Sequence, residues 1–182
     1  MQNELNSTIE ILEQGGTILY PTDTIWGIGC DATNAAAIEK IYEMKQRDHS
    51  KSMLILCADE VMLRNYISGP MINSHEDRPT TIIYPNAINL PKNLLAADGS
   101  IGIRIPKMEF CQRLLRLFGK PIVSTSANLS GEPSPACFDE ISMALKERVS
   151  YIVPNRPEYN RNSQGSRIVK VASDGEIVII RP

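Results

Sequence analysis

The chain has 182 residues, 42% of them hydrophobic, enough to bury one sizeable core and short for two, so residues 1–182 read as a single domain. Lys and Arg (19) nearly balance Asp and Glu (21), and the net charge of −2 excludes a whole-molecule attraction for nucleic acid while leaving room for a local basic patch. The four cysteines, Cys30, Cys57, Cys111 and Cys137, stand far apart with no C-x-x-C pair, which fits buried free thiols in a reducing cytoplasm.

The N-terminus MQNELNSTIE has neither the basic start nor the apolar run of a signal peptide, and no stretch reaches the length of a membrane span. Leu5, Ile9 and Leu12 recur at helical spacing before Gly15-Gly16, which predicts a helix over 4–14. TILY (17–20) reads as a strand running into the polar turn PTDT, which holds Thr22. Asp31, Thr33 and Asn34 are N-cap types, and the stripe Ile38, Ile41, Lys45 predicts a helix that delivers Lys45 and Arg47 at its end. MLILC (53–57), TTIIY (80–84) and IGIRIP (101–106) read as strands whose parallel-like burial argues for helices covering the sheet. Cys111, Leu114, Leu115 and Phe118 mark a helix closed by Gly119, and Pro121 starts a strand that runs into STSANLSGEPSP (124–135). RIVKV (167–171) and EIVII (176–180) flank SDG as a hairpin. The segments 68–79 and 153–165 are expected to be mobile loops.

GIGCDA (27–32) matches the dinucleotide fingerprint G-x-G-x-x-A, but a polar PTDT interrupts the strand before it and no strand-end acid follows about 20 residues on, so that reading is set aside. The P-loop G-x-x-x-x-G-K-[ST] is absent. His49 and His75 have no second ligand at metal spacing, and no metal site is expected. In KQRDHSK, Lys45, Arg47 and Lys51 form a basic cluster, with His49 able to touch a phosphate; it is either a phosphate clamp or a solvated helix end. Arg104 sits amid core residues and needs an anion, which either an acid of the chain or a ligand supplies. Ser124, Ser126, Asn128 and Ser134 are either turn formers or the wall of a polar site.

In order and spacing, GGTILYPTDTIWGIGCDA, Lys45-Gln46-Arg47 with Lys51, IGIRIP and KPIVSTSANLSGEPSP resemble the YrdC-like family, the threonylcarbamoyl-AMP synthases, over residues 15 to 181. The resemblance implies an α/β fold of the YrdC/RibB-like kind: a twisted mixed sheet with helices packed outside, enclosing a basic cavity, in the short form without an extra C-terminal domain. It implies that L-threonine and bicarbonate form a carbamate that attacks the α-phosphate of ATP, giving threonylcarbamoyl-adenylate and pyrophosphate, with Mg2+ accompanying ATP. Partner proteins then use the adenylate to modify tRNA.

The family pattern carries over onto Lys45 and Arg47 as catalytic cations on the phosphates, and onto Ser124, Ser126, Asn128 and Ser134 as the nucleotide and threonine pocket. Arg104 would meet the threonine carboxylate and Thr22 its side chain, while Ser100, Ser166 and Arg181 match further family positions. The chain departs from the pattern at Asp48 and Ser52, where the family has prolines, at Trp26 for a tyrosine, at Asp77-Arg78-Pro79, and at Arg167 and Lys170 for a hydroxyl and an acid. These departures leave open an RNA-binding or regulatory paralogue, because the family has been associated with double-stranded RNA. The sequence leaves the oligomeric state open.

Overall fold

A strand made largely of glycine lies inside the sheet, paired on both sides. Gly27–Gly29 (β2) pairs antiparallel with Ile18–Tyr20 (β1) on one side and with Ile122–Ser126 (β6) on the other. A Cβ on Gly29 would run into the Val123 carbonyl and come within 2.9 Å of the Tyr20 ring, so only glycine lets these three strands close up. Gly29→Val is therefore expected to cost about 3 kcal/mol by overpacking and to lower the thermal midpoint by about 6–12 °C, as calorimetry would read.

The structure, a computed structural model, describes residues 1–72, 78–160, 164–172 and 176–182. The remaining strands are Leu54–Leu56 (β3), Thr80–Tyr84 (β4), Ile101–Arg104 (β5), Tyr151–Ile152 (β7), Arg167–Val171 (β8) and Ile177–Arg181 (β9). Together they form one sheet in the order β7-β1-β2-β6-β3-β5-β4-β8-β9. Only β1 with β7, β3 with β5 and β4 with β8 are parallel pairs. The sheet is thus mixed, as the family resemblance implies.

Helices Gln2–Glu13 (α1), Ala35–Lys45 (α2), Glu60–Arg64 (α3), Glu109–Phe118 (α4) and Met143–Lys146 (α5) pack around the sheet. Leu5, Leu12, Ile38, Ile41, Leu114 and Leu115 turn their apolar stripes into the core. Asn34 caps α2, its side-chain oxygen accepting from Ala37 N at 3.1 Å. Gln46 follows in the left-handed region at φ 50°, so the chain leaves α2 sharply just before Arg47.

The hairpin expected near residues 167–180 is present as antiparallel β8 and β9, while its turn, Ser173 to Gly175, lies outside the described residues, as do His75 and Asp77. The segment 153–165, expected as a mobile loop, is anchored at two described points. Val153 is fully buried, and Tyr159 packs against Trp26 and Phe110 with ring centroids 6.4 and 6.1 Å apart. Among the described residues, no helix is long and apolar enough to cross a membrane.

Candidate active site

Strand register builds the floor of a cavity with a volume of about 770 Å³. Lys170 lies opposite Ile83, Ile83 opposite Gly102, Gly102 opposite Leu54, and Leu54 opposite Ser124. These five cross-strand neighbours all line the cavity, and four strand spacings make the row about 19 Å long. Gly102 keeps its middle low, because a Cβ there would press on Thr81 and Leu54 at 3.2 and 3.3 Å. Alternation along β6 puts Ser124 and Ser126 on this same face, so the hydroxyls expected after the strand are partly carried by the strand itself.

Around the floor stand the PTDT turn, the segment after α2, and the start of β8 with the end of β9. Thr22 shapes the turn: its hydroxyl donates to the Ile25 carbonyl at 2.7 Å and accepts from Thr24 N at 3.1 Å. Arg104, 4% exposed, donates to Thr24 Oγ1 at 3.0 Å and faces Asp23 Oδ1 at 3.4 Å. Asp23 is thus the chain's own answer to the buried arginine. The Arg104 Nε has no hydrogen-bond partner among the described residues, leaving one buried donor unused.

Opposite, Arg181 donates from Nε and Nη2 to the Ser166 carbonyl at 2.9 and 2.5 Å, and the Ser166 hydroxyl shares a 2.7 Å bond with Thr81. The guanidinium lies against Gly165, whose missing side chain makes room for it. Burial and the nearby Arg104 both lower the Arg181 pKa. Arg47 reaches the cavity wall while donating to the Lys51 and Ser52 carbonyls at 2.8 and 2.9 Å. Ser100 and Ser134 also line the cavity.

Four of the sequence-derived residues do not line it. Lys45 is 1% exposed, and its ammonium donates to the backbone carbonyls of Ser126 and Asn128 from behind the loop, while its own carbonyl accepts from Ser130 N at 3.0 Å. Burial, helped by Arg47 and opposed by Glu132, pulls its pKa down to about 8. Asn128 braces the same loop, its amide donating to the Leu129 and Glu132 carbonyls at 2.9 and 2.7 Å. His49 stacks on Tyr42 and bonds Glu39 at 3.1 Å, and Lys51 is exposed on the turn that Arg47 ties down.

Sequence reasoning overlooked Thr24 and Asp98. Thr24 carries the contact from the turn to Arg104. Asp98 is the one carboxylate among the described lining residues, and it is already held by Ser100 and by Lys170 at 2.9 Å. No group of three or more His, Cys, Asp or Glu gathers among the described residues.

A family model described as "Telomere recombination", covering Sua5, YciO and YrdC, matches residues 10–182. The chain belongs to the Sua5/YrdC family. It is 33% identical over 184 residues to the threonylcarbamoyl-AMP synthase of Pseudoalteromonas translucida, with 97% of each chain covered. With the threonylcarbamoyl-AMP synthase of Escherichia coli K12 it shares 30% identity over 148 residues, covering 77% of this chain and 78% of that one. The crystal structure of E. coli YciO superposes with a TM-score of 0.81 at 25% identity, covering 100% of this chain and 89% of that one. Pyrococcus abyssi (P. abyssi) Sua5, crystallised with L-threonine, superposes with a TM-score of 0.86 at 21% identity, and this chain spans 53% of that longer one. A likeness at that identity shows the fold, and the fold is the Sua5/YrdC one.

Proposed function

We propose that this Sua5/YrdC-family chain is a threonylcarbamoyl-AMP synthase. The threonine amine adds to bicarbonate with loss of water, a carbamate oxygen attacks the α-phosphorus of ATP, and pyrophosphate leaves. The observation that carries the reading is the cavity itself: a long floor with hydroxyls at the Ser124 end and cations around it. The carbamate is the nucleophile, so no protein nucleophile is needed and catalysis rests on positioning and charge stabilisation.

In this reading the unused Nε of buried Arg104 meets the threonine carboxylate beside the PTDT turn, and the Thr22 network fixes that corner. Arg47, Arg181 and Ser166 face the triphosphate, with Ser124, Ser126, Ser100 and Ser134 offering hydroxyls along its length. Lys45 and Asn128 hold the end of β6 at Ser126 and the loop after it, and Lys45 adds charge from behind. Mg2+ enters on the nucleotide. The adenylate is then passed to proteins that modify tRNA in the cytoplasm.

Purified protein should release pyrophosphate from ATP only when threonine and bicarbonate are both present, and flat release under those conditions would sink the reading. A joined site also predicts that ATP and threonine together raise the thermal midpoint by more than the sum of their separate effects, because each ligand favours the state the other binds.

A further inference from the structure

Of the two basic residues of β8 that break the family pattern, alternation sends only one to the cavity. Arg167, Val169 and Val171 share one face, and both valines are buried there; Ile168 and Lys170 share the other, and both line the cavity. Lys170 begins the floor row described above, and its ammonium sits 2.9 Å from Asp98 Oδ2. The second Asp98 oxygen accepts from Ser100 N at 3.0 Å and Ser100 Oγ at 2.5 Å. Lys170 and Ser100 hold the Asp98 carboxyl well below the usual carboxylate range, so Asp98 is a carboxylate throughout the neutral range.

The other cavity cations are committed differently. Arg104 is buried against Asp23, while Arg47 and Arg181 spend donors on backbone carbonyls that cannot leave. Lys170 instead holds an exposed partner: the two side chains are 40% and 54% exposed. Exposed ion pairs of this kind carry little net stability and exchange readily for a better anion. A polyphosphate offers several charges where Asp98 offers one.

We propose that Lys170 is a polyphosphate-binding residue of this cavity, parked on Asp98 while the cavity is empty and transferred to a ligand phosphate on binding, with Asp98 as the competing anion that weakens binding. The inference deepens the synthase reading and rests on it for the identity of the polyphosphate, but the charge exchange is testable without turnover.

Isothermal titration of the full chain with inorganic pyrophosphate at fixed ionic strength reads it directly. Lys170→Met should raise Kd about tenfold, as expected for loss of one charged hydrogen bond. Asp98→Asn should lower Kd, because the competing charge is gone while the amide still reaches Ser100. A mere brace between β8 and the turn before β5 would make both variants bind more weakly. Weakening in both, no change in either, or no pyrophosphate binding by the wild type overturns the proposal; thermal midpoints of both variants check that they fold. Threonine- and bicarbonate-dependent pyrophosphate release by the wild type is measured separately. Flat release with opposite-signed Kd shifts would remove the synthase reading and leave the anion site standing, and the converse would remove Lys170 alone.

Discussion

Lys45→Met is expected to lower kcat/KM for ATP by about 100-fold, although the side chain lines no part of the cavity. The ammonium holds the carbonyls of Ser126 and Asn128, and removing it takes the partner from two part-buried acceptors at about 1–3 kcal/mol each. A cost near 3 kcal/mol corresponds to about two decades in rate. Ser126, whose carbonyl the ammonium holds, lines the cavity at the end of β6, so displacement of this strand end misplaces a proposed ligand.

The same lysine gives the reaction a pH signature. With its pKa lowered to about 8 by burial and by Arg47, Lys45 is mostly protonated at pH 7 and loses its charge as pH rises through 8. Loss of that positive charge weakens the pull on a triphosphate, so kcat/KM, which reports the free enzyme, should fall on the alkaline side near pH 8. A bound polyanion favours the charged amine, which moves the corresponding limb of kcat to higher pH. Lys45→Met should lack this limb at its low residual rate. A wild-type profile flat from pH 7 to 9.5, or the same limb in the variant, would assign the titration elsewhere.

Much of the architecture follows from patterns that a single chain displays. The stripe of α2, the Asn34 cap and the apolar runs at 54–56, 80–84 and 101–104 are local signals, and local physics fixes them. Strand β2 was not legible, because glycine reads as a turn former and the reason for Gly29 is the Val123 carbonyl nearly a hundred residues away. The apolar runs themselves carry no strand direction, and the mixed sheet was expected only from the family resemblance.

At the site, the pattern found the right segments but could not say which side chains turn inward. Lys45 and Arg47 are two residues apart, yet the left-handed turn at Gln46 sends one behind the loop and the other to the wall. Asp98 lay inside an ordinary ADGS turn, with nothing local to mark its contact with Lys170, 72 residues on. The partner of Arg104 could not be chosen from sequence either, because Asp23 reaches it only after β1 and β5 have taken their places in the sheet.

That pair yields the second large effect. Arg104→Met should cost about 3–5 kcal/mol of stability, the usual result of removing one member of a buried ion pair, and should abolish threonine-dependent pyrophosphate release. The difficulty is that an unstable protein is also an inactive one. Asp23→Asn in the same chain separates the two causes: it removes the stranded charge, and its amide oxygen can still accept from Lys107 N, now bonded to Asp23 Oδ2 at 3.0 Å. The double variant Arg104→Met with Asp23→Asn should therefore regain much of the lost thermal midpoint. If Arg104 acts only by pairing with Asp23, activity should return with stability. If its Nε is the donor for the threonine carboxylate, the double variant folds, still binds ATP, and shows no stabilisation by threonine at any concentration that saturates the wild type.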